Sequence, residues 1–267
     1  MHFFRVYLKV IKLGWERVLL FRMNFLMEQL RSLILMFSLY YLYASLFRTQ
    51  GNLFGFDSVK ISTYIILSSI VANFVFNYQM HALADSIADG KINSLLLKPI
   101  SIFWYHLARG VGERIIELGT SFVTVALFLI ITRAPFFLQH SPTLFVCFVL
   151  LLMLATALFA VMESTVGLLA FWLLRAHGPR FLFQTFLEVL SGKFFPLTIF
   201  PAFFVQILKF LPFGYVLYFP ISVYFGLATP KEIGSTFGIT ILWISTMSLL
   251  YVYILKRGLK VYGAYGS

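Results

Sequence analysis

Six runs of this chain are apolar enough, and long enough, to constrain it to a membrane. About 20 mainly apolar residues, wound as a helix, cross a hydrocarbon core of about 30 Å. The runs are Ser32–Phe47, extended backward through Met23–Arg31, then Ile61–Ala84, Ile115–Thr132, Leu144–Leu174, Phe181–Ile199 and Ile233–Leu255. Leu144–Leu174 is longer than one perpendicular crossing requires, so a tilt, a kink or an excursion from the bilayer is expected there. Phe181–Ile199 is the least regular. Composition agrees: 60% of the 267 residues are hydrophobic and only 12% are charged, against about 25% charged in an ordinary soluble domain. The expected fold class is therefore an all-α integral membrane protein with six transmembrane helices.

Lysine and arginine near short loops are retained on the cytoplasmic side, so their positions orient the spans. With both termini inside, the cytoplasmic segments hold Arg5, Lys9, Lys12, Arg17, Arg22, Arg31, Lys91, Lys98, Arg109, Arg114, Arg175, Arg180, Lys256, Arg257 and Lys260. Six remain outside: Arg48, Lys60, Arg133, Lys193, Lys209 and Lys231. The net charge of +11 thus reads as a topology signal and an affinity for anionic lipid. Nucleic acid is not expected as a partner, because the positive residues are scattered around apolar spans and form no basic domain.

The N-terminal "MHFFRVYLKVIKLGWERVLLFR" is not expected to act as a signal peptide. Charges interrupt its apolar region, and it lacks a small-x-small cleavage site. Arg5, Lys9, Lys12 and Glu16 follow helical spacing, opposite Phe4, Val6, Leu8, Val10, Ile11 and Trp15. Residues 1–22 therefore read as an amphipathic helix in the membrane interface, serving as an anchor or as a contact for a partner subunit. Residues 23–267 form the spanning domain.

Motifs for chemistry are missing. "SGKFF" at Ser191–Phe195 contains Gly-Lys but not the spacing or the following Ser/Thr of a phosphate-binding loop. The five histidines, His2, His81, His106, His140 and His177, lie on different segments, and no HExxH, GxSxG or Cys/His pattern accompanies them. No catalytic, cofactor-binding or metal residue is expected. The single cysteine, Cys147, reads as a small apolar residue within a span.

Charges inside spans require an explanation, since each costs about 2.5–3.5 kcal/mol or more against lipid. Glu163 and Glu188 should face a helix partner or a watery path; for Glu188 a pair with nearby Lys193 is the structural alternative to a role in transport. Beyond them, Pro196, Pro201, Pro212 and Pro220 break an otherwise apolar and aromatic segment. Short helices dipping into the outer leaflet over about 200–232 fit that pattern if their broken backbone is buried in protein or lines a cavity. Phe194, Phe195, Phe200, Phe203 and Phe204 are candidates for an apolar outer gate or for lipid-facing packing.

Three separated patterns, "GKINSLLLKPIS" from Gly90 to Ser101, the Ser191-Gly192…Pro196-Leu197…Phe200-Pro201…Leu211-Pro212-Phe213…Pro220 series, and the tail "KRGLKVYGAYGS", together resemble the ABC-2 type permease family. The likeness is to the branch described as ABC-2 family transporter proteins, grouped with daunorubicin-type export permeases. It runs over nearly the whole chain and preserves the order of the patterns.

The resemblance implies a permease subunit of an ATP-binding cassette exporter in a prokaryotic inner membrane. Its partners would be a cytoplasmic ATPase dimer and a second permease, the same chain or a related one. ATP and magnesium would belong to the ATPase, which makes the missing phosphate loop expected. It also implies an interfacial N-terminal helix, a coupling helix at about 85–101 and re-entrant outer helices. On that basis Asp85 and Asp89 are expected to start the coupling helix, Asn93–Leu97 to form its body and Pro99 to end it. Leu95, Leu96 and Leu97 would form a ridge for the ATPase cleft, flanked by Asp89, Lys91 and Lys98 as polar contacts, and Gly90 would belong to the same coupling element. Arg109, Glu113, Arg114 and Glu117 follow as a charged base on the third span. An aromatic, weakly charged interior suits a hydrophobic or amphipathic substrate, while aromatic stacking leaves a glycan open. A secondary transporter and a non-transporting scaffold are the rival readings; the chain shows no internal repeat of the kind secondary transporters carry.

Overall fold

The computed structural model describes residues 2–20, 22–49, 55–76, 81–98, 101–173 and 176–264. Its helices, in chain order, are α1 (His2–Leu20), α2 (Arg22–Thr49), α3 (Ser58–Val75), α4 (His81–Ala88), α5 (Ile92–Leu96), α6 (Ile102–Thr132), α7 (Pro142–Gly167), α8 (His177–Leu190), α9 (Ala202–Phe210), α10 (Tyr218–Tyr224) and α11 (Pro230–Ala264). No strand occurs among the described residues. Among the described residues five segments are long and apolar enough to cross a membrane: Phe25–Phe47, Ser58–Val75, Ile102–Thr132, Pro142–Phe171 and Pro230–Tyr262.

Local chemistry sets where these helices begin and end. Asp57 caps α3 by accepting the Lys60 amide at 2.7 Å. At the start of α11 the Thr229 amide donates to Glu232 Oε2 at 2.8 Å and the Glu232 amide returns to Thr229 Oγ1 at 3.3 Å, a reciprocal box ahead of Pro230. Pro142 opens α7, and Arg133 ends α6 in a left-handed conformation at φ 49°.

Four expected spans change their limits for identifiable reasons. The second, expected over Ile61–Ala84, ends at Val75, and Ala84 belongs to the separate α4. The third starts at Ile102 rather than Ile115, so the charged base and the apolar half form one unbroken 31-residue helix. The fourth tightens into a 3-10 turn at Leu168–Phe171, which accounts for its length. The fifth, expected over Phe181–Ile199, is the 14-residue α8, about 21 Å at 1.5 Å per residue. It stops because Gly192 turns the chain at φ 85° and Pro196 follows.

The helices enclose two packed regions at opposite ends. At one end, Leu83 and Ile87 of α4, Ile92 and Leu95 of α5, Leu168, Phe171 and Tyr251 form a cluster. At the other, α10 lies within the main core, where Leu217 and Ile221 are fully buried with Tyr64, Phe159 and Phe225. There Gln139 Nε2 donates to the Tyr224 carbonyl at 2.6 Å, and the Phe137 amide donates to Thr63 Oγ1 at 2.7 Å, tying the link before α7 to α3 and α10. Between the ends run α2, α3, α6, α7 and α11, and α8 accompanies them from Arg180, which meets Asp85 of α4, to Ser191, whose carbonyl accepts the Tyr218 amide.

Helix α1 lies against the first half of α6 through two glycines. A Cβ on Gly14 would stand 2.1 Å from the Arg109 carbonyl oxygen, and one on Gly112 would stand 2.0 Å from that of Ile11. Both obstructions are backbone, so neither yields to a rotamer change. Small residues permit this approach, as they do between helices in lipid generally. Arg17 of α1 adds an ion pair to buried Glu113 at 3.4 Å. Gly14→Ala should therefore destabilise the fold by about 1–3 kcal/mol and lower the thermal midpoint. Gly119→Ala, where nothing lies within 4 Å, should be neutral or stabilising by up to about 1 kcal/mol. Thermal unfolding followed by tryptophan fluorescence, which Trp15 reports from α1, separates the two.

Candidate functional site

The described part of the expected coupling segment, Asp85–Lys98, comprises the end of α4 and the short α5, joined at Gly90. Gly90 has φ 72°, a conformation that L side chains rarely adopt, although a Cβ there would meet only Tyr262 Oη, at 3.6 Å. The constraint is thus the backbone, not space. The turn is closed by Lys91 Nζ on Asp89 Oδ2 at 2.7 Å, and this hydrogen bond holds the Lys91 ammonium above its ordinary pKa.

Helical periodicity divides the expected leucine ridge. Ile92 and Leu95, three residues apart, share one face and enter the cluster of α4, α11 and Phe171, with Leu95 only 8% exposed. Leu96 and Leu97 point outward at 43% and 88%, and Lys98 is exposed beside them. Asp85 also departs from its expected place: it lies inside α4, one turn before the bend, and meets Arg180 Nη1 of α8 at 3.4 Å. Asp85 cannot cap α5, which begins only at Ile92 and has no side-chain cap. Pro99 lies outside the described residues.

The tail pattern supports this end of the molecule. Gly258 of α11 allows close contact with Phe171, since a Cβ would stand 2.2 Å from its ring. Tyr262, one turn later, meets the Phe171 ring edge-on at 5.8 Å and faces Gly90. The glycine turn and the C-terminal tail, distant in sequence, are parts of one packed unit.

Between α2, α3, α4, α6 and α8 lies a cavity of about 540 Å³. Leu35, Met36, Leu39, Ile65 and Phe76 line its apolar part. Charged residues line the rest: Glu28 and Arg31 of α2, Arg17 of α1, Asp85 of α4, Glu113 and Glu117 of α6, and Glu188 and Lys193 at the end of α8. Polar neighbours are linked across helices. Ser32 Oγ lies 3.1 Å from Ser69 Oγ, Asn73 Nδ2 donates to Ser121 Oγ at 2.9 Å, and Thr124 Oγ1 donates to Gln29 Oε1 at 3.1 Å.

Glu188 and Lys193 meet at 2.8 Å, mostly buried, with the ammonium also 5.8 Å above the Phe76 ring and 5.6 Å above that of Phe194. Glu188 thus pairs with Lys193 as the structural alternative expects, and both also line the cavity. Glu163 is not brought to this wall; it is buried on α7, where Arg114 of α6 feels its charge.

The five phenylalanines separate. Phe194 lines a shallow depression against Met27, Leu30 and Ile34 of α2. Phe195, Phe200 and Phe204 pack in series, edge-on and then tilted, with centroids 5.5 and 4.9 Å apart, on the main core. Phe203 is exposed. The turn before them is fastened from two helices: Tyr64 donates to the Gly192 carbonyl, and Tyr43 to that of Phe194 at 3.1 Å. Sequence reasoning missed the tyrosine fasteners, Arg17, Glu28 and Arg180. The polar run Ser68, Ser69 and Asn73 inside an otherwise apolar span was the signal for the cavity wall on α3.

Residues 33–266 match the family described as ABC-2 family transporter protein. This chain belongs to that family. It is accordingly a multi-pass membrane protein and a permease component of an ABC transporter, a class whose partner is an ABC ATPase. No curated protein and no solved structure matches it. The family match begins after α1 and the first turns of α2, so Arg17, Glu28 and Arg31 of the cavity precede it.

Removing one partner of a buried pair strands the other, at a typical cost of about 3–5 kcal/mol. Lys193→Met should accordingly destabilise the ABC-2 permease more than the double substitution Lys193→Met with Glu188→Leu. Thermal unfolding of the two variants in matched detergent checks the order.

Proposed function

We propose that this chain is the transmembrane permease subunit of an exporter, moving an amphipathic substrate across the prokaryotic inner membrane with ATP hydrolysed by a separate dimeric ATPase. The observation that carries this reading is the outward display of Leu96 and Leu97 on a short helix that is itself rigidly seated. A five-residue helix is too short to persist alone; Ile92 and Leu95 hold it to α4, α11 and Phe171. Force applied to Leu97 therefore reaches α11 and, through Asp85 and Arg180, α8. ATP and magnesium stay with the ATPase, and this chain binds neither.

The α5 end is the cytoplasmic end in this reading, as the lysines and arginines at α1, α5, the start of α6 and the end of α11 favour. Both termini are then inside, and α8 with the turned segment after it completes a sixth crossing. Helices α9 and α10 form the outer re-entrant layer, and α1 rests at the inner interface against α6. A second permease, the same chain or a related one, completes the pathway, with lipid around both. ATP-driven closure of the ATPases pushes on α5 and biases the permease between inward-facing and outward-facing arrangements.

The test is purification from native membranes with the associated subunits retained. Leu97→Asp, at a position that touches little, should leave thermal stability unchanged and reduce the recovered ATPase at least tenfold. Leu95→Asp should instead destabilise the permease itself. Full recovery of the ATPase with Leu97→Asp contradicts the docking assignment, and purification of the wild-type chain without any ATPase moves the reading to a secondary transporter or scaffold.

A further inference from the structure

Pairing within the cavity leaves one carboxylate over. Arg17 meets Glu113 at 3.4 Å, Arg31 meets Glu28 at 3.9 Å, Lys193 meets Glu188 at 2.8 Å, and Asp85 meets Arg180 at 3.4 Å. No ion pair among the described residues reaches Glu117, which nevertheless lines the cavity. The nearest basic group on its own helix is Arg114, a turn away, but that guanidinium is buried and its field is divided among Glu113, Glu117 and Glu163. Glu117 also shares its wall with two further carboxylates, Glu28 and Glu113.

An ionised carboxylate at this depth requires water or a cation. The cavity has room for more than water, and an apolar floor of Leu35, Met36 and Leu39 continues from the charged wall. Among the described residues its aromatic lining is Phe25 and Phe76. The apolar floor beside the carboxylate favours an organic cation over a bare one.

We infer that the cavity takes an amphipathic amine: the ammonium group pairs with Glu117 and hydrogen-bonds to the adjacent amide and hydroxyl groups of Gln29 and Ser32, while the apolar body lies along Leu35, Met36 and Leu39. The inference rests on the exporter reading for its biological meaning, since the bound amine is then the cargo class, but binding itself requires neither ATP nor the ATPase.

The test uses the full chain in phosphatidylcholine nanodiscs, with protein-free nanodiscs subtracted. Dansylcadaverine, a fluorescent primary amine, is compared with its N-acetyl derivative, which keeps the body and loses the charge. Wild-type protein should bind the amine at least tenfold more tightly than the acetylated compound. Glu117→Gln should abolish that preference, and Glu117→Asp should retain most of it. Equal binding of the two probes to wild-type protein overturns the inference whatever the variants do. So does a preference that persists in Glu117→Gln. Loss of ATPase association with intact amine preference would overturn the exporter reading alone.

Discussion

Everything in this permease depends on how it accommodates charge inside apolar helices. A lipid-facing carboxylate is costly, and a buried one is tolerated only with a counter-charge or water. The chain meets that requirement by bringing charges from different helices together. Glu113 finds Arg17 of α1, Asp85 of α4 finds Arg180 of α8, and Glu188 finds Lys193 beyond the turn at Gly192. These pairs define the side of the bundle on which helices face a polar space rather than each other, so the cavity and the helix arrangement have a common cause.

Glycine decides where the helices approach closely. Gly14 and Gly112 bring α1 to backbone contact with α6, Gly258 seats α11 on Phe171, and Gly90 turns the chain between α4 and α5. The Gly258 contact ties the α5 end to the long helix α11, and the Gly14 and Gly112 contacts tie α1 to α6. That end therefore behaves as a unit, with the 0% exposed Ile92 as its inner point and Leu97 as its outer one. The α10 end is organised differently, by tyrosine hydroxyls on the carbonyls of the turn after α8, an arrangement compatible with repeated prolines.

Much of this was legible in the sequence because hydropathy over 20 residues is a strong signal and charge bounds it. The membrane class, the polar 85–101 interruption, the proline-broken segment after α8 and the Glu188–Lys193 pair were all readable. What failed were properties set by a single residue's geometry. A continuous helix through Arg109–Glu117 was hidden because charge was read as a boundary, whereas Arg17 of α1 pairs with Glu113 and Glu117 faces the cavity. The α8 end was missed because "LSGKFF" is apolar on average, although one positive φ at Gly192 is enough to turn it. The leucine triplet was read as one surface, although three consecutive helical residues diverge by about 100° each. No pattern in one chain reveals Arg180 as the partner of Asp85, because that contact joins segments 95 residues apart.

The central claim is that Leu97 marks the surface on which an ATPase acts. Its most direct test is a photo-crosslinking side chain placed at position 97 and, as a control, at exposed Phe203 near the opposite end, in native membranes. The account predicts that position 97 yields an adduct with a subunit carrying a phosphate-binding loop, and that position 203 yields none. An adduct from position 203, or none from position 97 while the protein remains folded, would contradict it.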